Sequence, residues 1–205
     1  MTELPNYTLN RILNTAKHEF LTKGYRDALL RDIAKAANVT TGALYGYFQN
    51  KEDLFGALVH ASYYGIQQLY RDVLNEFLRL PSQTRRETYD KLTTAYMLSL
   101  SSYMYDHHDE FKLILCCSED TKYSNLADDM AVIDEEATRD YIAALEASGL
   151  SVNVVPPRLE HILTTGLFSM FFELIVHDIP QEDAREYIKS LMSFYTCGYR
   201  KILGL

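Results

Sequence analysis

The sequence predicts an all-helical protein made of a small N-terminal helix-turn-helix domain and a larger helical body. Three observations predict this fold class. Apolar residues recur at helical spacing along most of the chain, no stretch alternates as a strand would, and residues 31–48 have the spacing of two short helices that cross. We expect about nine helices, the first three forming the helix-turn-helix domain at residues 1–50, and a second domain at residues 51–205.

The first helix is predicted to begin at Thr8, whose hydroxyl can cap it, and to end at Gly24, where glycine tolerates a positive φ. We expect this helix to support the two short helices that follow. Its apolar face consists of Ile12, Leu13, Ala16, Phe20 and Leu21.

The two short helices are predicted to pack closely through small and apolar residues. Asn38 stands at the turn between them, where a residue that tolerates a positive φ is needed, and Thr40 can cap the second helix. Because the inner positions of that helix are already apolar, Tyr45 and Tyr47 are expected to face outward. The inner residues of the pair are Ile33, Ala34, Ala37, Leu44 and Phe48.

The rest of the chain continues as amphipathic helices. Asn50 is predicted to cap a long connecting helix, with Asp53 three residues later completing a capping box, and residues 150–157 are the clearest loop. The expected helices span residues 50–80, 85–105, 109–117, 125–148, 158–176 and 181–203.

Composition places the chain among cytoplasmic globular proteins. It has 205 residues, 47% of them hydrophobic, no secretory pattern at the N-terminus and no apolar run that approaches the ~18 residues of a membrane span. Three cysteines, Cys116, Cys117 and Cys197, do not suggest a disulfide framework, and we expect them to be small buried residues.

The charge is divided unevenly along the chain. The whole protein carries −8, but residues 1–51 hold seven basic and four acidic residues, a net charge of +3, which leaves −11 for the remainder. A basic end favours contact with phosphate, and an acidic body helps to orient that end toward DNA.

The run IAKAANVTTGALYGYFQNKEDLF resembles the DNA-binding signature of the TetR/AcrR family of bacterial transcriptional regulators, over roughly the first quarter of the chain. Asn38 and Gly46 depart from the family's pattern, which has glycine at the turn and a larger residue at the second position; glycine at Gly46 weakens the short helix by about 1 kcal/mol. The resemblance implies a phosphate contact from Arg31 and operator contacts from Thr40, Thr41, Gly42, Tyr45, Tyr47 and Lys51.

The last two helices are apolar around more of their circumference than the surface of a monomer would be, which predicts a homodimer. Gly166 and Gly198 would permit close approach, and the resemblance implies a four-helix interface. The alternative is that both faces are buried inside one subunit. A two-fold dimer would bring two heads to successive major grooves, about 34 Å apart, on a palindromic operator in double-stranded DNA.

The body is rich in residues suited to a flat or cationic small molecule, although aromatic residues at helical spacing are more often core. The candidates for an effector-binding cavity are Tyr64, Tyr96, Tyr103, Met130, Tyr141, His161 and Phe168.

Other functional classes lack support in the sequence. The cluster from His107 to Glu110 contains metal-ligand residue types, but neighbours on a helix point in different directions, so no metal or cofactor is expected. No catalytic motif indicates an enzyme. The predicted function is a dimeric repressor released from its operator by a small hydrophobic or aromatic effector; the alternative is a DNA-bound structural or interaction protein whose body binds a protein partner.

Overall fold

The computed structural model describes residues 4–204, and within this range the chain forms nine helices and no strand, which confirms the all-helical prediction. The helices are α1 (Leu4–Asp27), α2 (Leu30–Ala36), α3 (Thr41–Tyr45), α4 (Lys51–Arg79), α5 (Ser82–Asp106), α6 (His108–Cys117), α7 (Leu126–Ala147), α8 (Pro157–Val176) and α9 (Gln181–Leu203).

The first helix differs from its prediction at both ends. It begins at Leu4, so Thr8 lies inside it and does not cap it. Gly24 has the predicted positive φ, with φ 76° and ψ 169°, but the chain returns to helix after this kink and continues to Asp27. A glycine with a positive φ therefore bends α1 here instead of ending it.

The described residues pack into two compact units. The first contains the chain up to Tyr64 together with His107–Ser124, and the second contains residues 65–106 and the chain from Asn125 onward. The division falls inside α4, beyond the boundary at residue 50 that the sequence suggested, and it places α6 with the N-terminal helices, because α6 packs along α1.

The first unit is held together by an aromatic core and by ion pairs. The rings of Phe20 and Phe55 meet edge to face at 5.1 Å between centroids, and Tyr123 packs against Tyr63 at 5.2 Å. On the outside, Lys17 Nζ lies 3.2 Å from Asp109 Oδ2 at the start of α6. Acidic residues of α6 and the turn after it therefore face basic residues of α1.

The second unit is a helical body in which α7 packs on α8, and α9 packs on both α5 and α8. Phe168, Phe171 and Ile175 of α8 are completely buried in it. By length and composition α8 resembles a membrane span, with a mean hydropathy of 1.4 over 18 residues, which was not expected from the sequence. Of this 18-residue stretch 44% is buried in the described structure, so packing within the subunit accounts for only part of the apolar character of α8.

The cysteines are buried less completely than expected. Cys117 is buried, and this burial raises the pKa of its thiol, but Cys116 and Cys197 are exposed. Adjacent residues on a helix point about 100° apart, so Cys116 and Cys117 can have different exposure although they are neighbours.

Candidate nucleic-acid interface and effector cavity

The turn between α2 and α3 has the predicted geometry. Asn38 adopts φ 52°, and the Val39 N–H donates to the Ala34 carbonyl oxygen at 3.0 Å. Arg11 of α1 donates to the carbonyl oxygen of Asn38 at 3.4 Å, a contact between distant residues that no local pattern indicates. The turn is therefore fixed by backbone hydrogen bonds and supported from α1.

The inner face of α3 is filled as predicted. The Thr40 hydroxyl oxygen accepts a hydrogen bond from the Ala43 N–H at 3.0 Å and caps the helix. Leu44 is completely buried and Phe48 nearly so. With these positions occupied, the remaining side chains of this segment face solvent. The buried residues of α2 and the turn are Ile33, Ala34 and Ala37.

Most of the predicted DNA contacts are exposed. Tyr45 keeps 53% and Tyr47 39% of its surface in solvent, and Thr41 and Gly42 are also exposed. The Arg31 side chain is 77% exposed, with Nε 3.6 Å from Asp32 Oδ1, which is a weak surface ion pair. Except for Arg31, which stands at the start of α2, these residues belong to one segment, from the cap of α3 to the turn that follows it.

Gly46 directly follows α3 in a helical conformation, with φ −70° and ψ −22°, so its backbone does not require glycine. A Cβ at this position would lie 3.1 Å from the Ala43 carbonyl oxygen, which is a tight contact. A larger residue here would therefore require the local backbone to shift by a few tenths of an ångström.

Lys51 departs from the role that the resemblance implies. Its Nζ donates to the carbonyl oxygens of Tyr25, Arg26 and Ala28 at 2.6, 3.0 and 3.1 Å, and it lies 4.5 Å from the centre of the Tyr25 ring. An ammonium group has three donors, so none remains for a phosphate in this geometry. Partial burial also lowers the pKa of Lys51. The side chain ties the start of α4 to the end of α1.

The start of α4 is capped nearly as predicted. The Asn50 side-chain oxygen accepts from the Asp53 N–H at 2.8 Å, and the Asp53 carboxylate accepts from the Gln49 N–H at 3.0 Å. A capping box would return the second bond to Asn50, so the reciprocal contact is shifted by one residue. The turn between α3 and α4 is therefore closed by side chains.

The basic character of the N-terminal end is largely neutralised. With α6 included, the first unit has nine basic and ten acidic residues, a net charge of −1. Arg26 pairs with Glu119 and Asp120 at 3.1 and 2.7 Å. Lys35 on α2 is exposed and has no ion pair among residues 4–204. The sequence did not predict Lys35 as a DNA contact. In the described part of the chain, few unpaired cations therefore remain near α3.

A cavity lies within the second unit, and two of the seven candidate effector residues, Tyr96 and Tyr141, line it. The space that the centres of water molecules can occupy in it is about 60 Å³, which is enough for a few waters. The sequence missed most of its wall. The additional polar residues of the lining are Tyr70, Tyr89, Thr93, Asp134, Thr138, Tyr195 and Tyr199.

The other candidates lie elsewhere. Tyr64 belongs to the first unit, where its ring lies 4.6 Å from that of His60, and the Tyr103 hydroxyl approaches α4 at Gly65, where it leaves no room for a Cβ. Met130 and Phe168 are buried core residues that do not line the cavity. His161 is half-exposed, and its Nδ1 lies 2.8 Å from Glu135. These five predictions of effector contacts are not supported by the placement of the residues.

The last two helices each bury one face and expose another. Tyr195 and Tyr199 of α9 line the cavity and so lie on the buried side of that helix. A Cβ at Gly166 or Gly198 would meet no atom within 4 Å, so both positions are open. We call the exposed residues the apolar stripe, and they are Leu159, Ile162 and Met170 of α8 with Tyr187, Phe194 and Ile202 of α9.

These features define a class: a helix-turn-helix protein whose second short helix is exposed, joined to a separate helical body with a cavity. Residues 12–58 match the family described as "Bacterial regulatory proteins, tetR family". The N-terminal part of the chain is therefore similar to the DNA-binding region of the TetR family of bacterial regulators.

Individual relatives are similar to this chain chiefly in its N-terminal part. The transcriptional regulator AcrR of Shigella flexneri is 36% identical over 80 residues, 39% of this chain and 37% of AcrR. The probable acrEF/envCD operon repressor of Escherichia coli (strain K12) is 43% identical over 51 residues, 25% of this chain and 23% of that repressor. The alignments thus span well under half of either relative.

A solved structure supports the fold over nearly the whole chain. NalD, the secondary repressor of the MexAB-OprM multidrug efflux pump in Pseudomonas aeruginosa, superposes with a TM-score of 0.52. The match covers 94% of this chain and 97% of NalD at 21% identity. At this identity the likeness concerns the architecture of the helices.

Proposed function

We propose that the protein is a dimeric transcriptional repressor that binds a palindromic operator and releases it when a small organic effector occupies the body. The observation that carries the proposal is the exposure of Tyr45 and Tyr47 beside a helix whose inner positions are filled by Leu44 and Phe48. Two aromatic residues kept in solvent next to a rigid, capped turn are suited to binding another molecule. Because residues 12–58 match a family of bacterial regulatory proteins, the proposed partner is duplex DNA.

The proposed DNA contacts are chosen by the solvent exposure and the charge of the side chains. Thr40, Thr41, Gly42, Tyr45 and Tyr47 approach the duplex, and their hydroxyl groups can donate to phosphate oxygens or to base acceptors. Because the ammonium group of Lys51 is engaged with three carbonyl oxygens, we remove it from the direct contacts. Phosphate contacts are proposed for Arg31 and for the exposed Lys35.

A second copy of the chain is proposed to cover the apolar stripe of α8 and α9. Phe194 is 73% and Ile162 66% exposed, which is unfavourable in water for side chains of this size. The open space above Gly166 and Gly198 admits a partner helix. Two-fold pairing would give two heads, as a palindromic operator requires.

Effector control is proposed to run through α4. This helix begins beside the helix-turn-helix at Lys51 and contributes Tyr70, Leu74 and Phe77 to the cavity wall. An effector that binds one conformation of α4 better than another shifts the population, and a coupling of about 1–3 kcal/mol would weaken DNA binding roughly 5- to 150-fold. The repressor names of the E. coli relative and of NalD favour repression as the output, and DNA as the target favours the cytoplasm.

The test uses fluorescence anisotropy with a labelled duplex that carries an inverted repeat from the DNA beside the gene. Tyr45→Ala and Tyr47→Ala should each weaken binding about 10- to 100-fold, while a duplex without the repeat is bound equally by all variants. Tyr64→Ala is the matched control, since Tyr64 is 45% exposed but lies outside the helix-turn-helix. Equal operator affinity of all four proteins would refute the proposed contact surface.

A further inference from the structure

We propose that the cavity of the second unit binds an organic cation, with the carboxylate of Asp134 as its counter-charge and tyrosine rings as its wall. This inference rests on the proposed function, because it names the chemical class of the effector. The candidate ligand is a small amine, protonated at neutral pH, that carries an aromatic or other apolar group.

The charge of the cavity supports a cation. Asp134 is the one charged residue among the described residues that line the cavity, and the others are tyrosines, threonines and apolar side chains. Among the lysine, arginine and histidine side chains that the structure describes, which exclude that of Arg86, none forms an ion pair with Asp134. Asp134 is half-buried among these residues, and a carboxylate partly removed from water without a cation beside it favours binding one. The partner proposed here is the ligand.

The surroundings of Asp134 add to this preference. Its carboxylate accepts a hydrogen bond from the Tyr70 hydroxyl, and the carboxylates of Glu135 and Glu160 lie close enough to disfavour a second negative charge. Desolvation, chiefly, raises the pKa of Asp134 to about 6, so the group is ionised at neutral pH. A bound cation would relieve both the desolvation and the repulsion between carboxylates.

The tyrosines form an electron-rich, neutral wall. Tyr195 and Tyr199 stack at 5.6 Å between ring centroids, and burial raises the pKa of both hydroxyls, so neither carries a competing charge. The Tyr195 hydroxyl is buried near Thr164 and has no partner in hydrogen-bonding geometry within the described chain. Aromatic faces and hydroxyl oxygens both attract an ammonium group.

Arginines already occupy the outer side of this aromatic wall. Tyr89 and Tyr141 stack on each other at 5.5 Å, with Arg200 5.8 Å from the Tyr89 ring and Arg85 5.8 Å from the Tyr141 ring. Neither arginine lines the cavity. These rings therefore contact cations at the edge of the site, while Asp134 remains for a cation inside it.

The experiment is isothermal titration calorimetry of the full-length protein at pH 7.5, without DNA, with three probes that share one ring: benzylammonium, benzyl alcohol and benzoate. We expect benzylammonium to bind at least about tenfold more tightly than benzyl alcohol, and benzoate not to bind measurably. Asp134→Asn should remove the preference for benzylammonium. The control is Asp140→Asn, an exposed carboxylate on the same helix, which should change nothing.

Three results would overturn the inference: equal affinities for benzylammonium and benzyl alcohol, binding of benzoate, or an unchanged preference in Asp134→Asn. If that variant does not fold, the wild type is titrated at pH 5, where protonation of Asp134 should weaken benzylammonium binding but not benzyl alcohol binding. The other titratable groups around Asp134 are Glu135 of α7, Glu160 of α8, Tyr70 of α4, Tyr89 of α5 and Tyr195 and Tyr199 of α9.

Operator release, measured separately by anisotropy, distinguishes failure of this inference from failure of the proposed function. Release by a neutral aromatic compound together with no cation preference in calorimetry would refute the cation and leave the repressor intact. A protein that binds benzylammonium through Asp134 but never binds an inverted repeat would refute the repressor and leave the cation site intact.

Discussion

The two units use the same residue type in opposite ways. In the first unit Tyr45 and Tyr47 remain in solvent beside a short, capped helix, whereas in the second Tyr70 and Tyr199 are buried around a cavity, with the pKa of each raised by desolvation. An exposed tyrosine can bind a large partner that brings its own surface, such as a duplex. A buried tyrosine instead encloses a small molecule. The contrast supports the proposal that the first unit binds DNA and the second binds an effector.

The largest effect is expected at the surface that joins two copies of the body. Phe194→Glu places a charge in the middle of the apolar stripe, where it would be desolvated in a dimer, so the protein should become monomeric and lose more than about 100-fold in operator affinity. Sedimentation equilibrium and anisotropy measure the two quantities. Val154→Glu is the control, because Val154 is 92% exposed but lies outside the stripe. A dimeric Phe194→Glu protein with intact binding would exclude this surface.

The second-largest effect tests whether Lys51 stabilises the helix-turn-helix domain or contacts DNA. Lys51→Ala removes three hydrogen bonds from a charged donor to backbone carbonyls, so we expect the free energy of unfolding to fall by about 2 kcal/mol. The salt dependence of operator binding should stay the same. Urea denaturation and anisotropy at several salt concentrations test this prediction, and a salt slope that falls by about one with unchanged stability would return Lys51 to the phosphate contacts.

In the body, Asp134→Asn should stabilise the protein. The pKa of Asp134 is raised in the folded state to about 6, so its contribution to stability is fully present below about pH 4 and is lost as the pH rises through 6. At pH 7.5 the asparagine variant should therefore unfold with a free energy about 3 kcal/mol higher, a difference that disappears near pH 4. Urea titrations at both pH values measure it; a destabilised variant at pH 7.5 would indicate a structural carboxylate.

The smallest effect concerns long-range charge in the head. Arg31→Ala and Lys35→Ala should each reduce the slope of log affinity against log salt by about one, because each removes one cation from the phosphate backbone. Because the first unit carries a net charge of −1, the wild-type slope itself should be modest for a DNA-binding protein. Lys112→Ala, on α6, serves as the comparison. Slopes that fall equally in all three variants would mean that phosphate binding is not confined to α2.

The local sequence predicted the helix-turn-helix well, because the residues that determine its structure are close together in the chain. The positive φ of Asn38, the Thr40 cap and the burial of Leu44 each depend on neighbours within a few residues. The contacts of Lys51 could not be predicted from the sequence, because its partners are backbone carbonyls 23 to 26 residues away and every residue type has such a group. Thr8 was taken for a cap because its side chain allows that role, although α1 begins earlier.

The cavity was predicted poorly because five helices build it. The spacing of Tyr195 and Tyr199 shows that they share a face of α9, but only the packing of α9 decides whether that face meets the body or a second copy. Asp134 lies in an acidic run that resembles a solvated surface. Its position against Tyr70, 64 residues earlier in the chain, is a tertiary contact that helical periodicity does not encode.

The most direct test of the central claim is selection of bound duplexes from a random DNA pool by the full-length protein, followed by the stoichiometry of the enriched complex. We predict an inverted repeat with half-site centres about one or two turns of 34 Å apart, bound by two copies of the chain, and no enrichment with a Tyr45→Ala, Tyr47→Ala double variant. Enrichment of an asymmetric site bound by one copy, or no enrichment by the wild type, would contradict it.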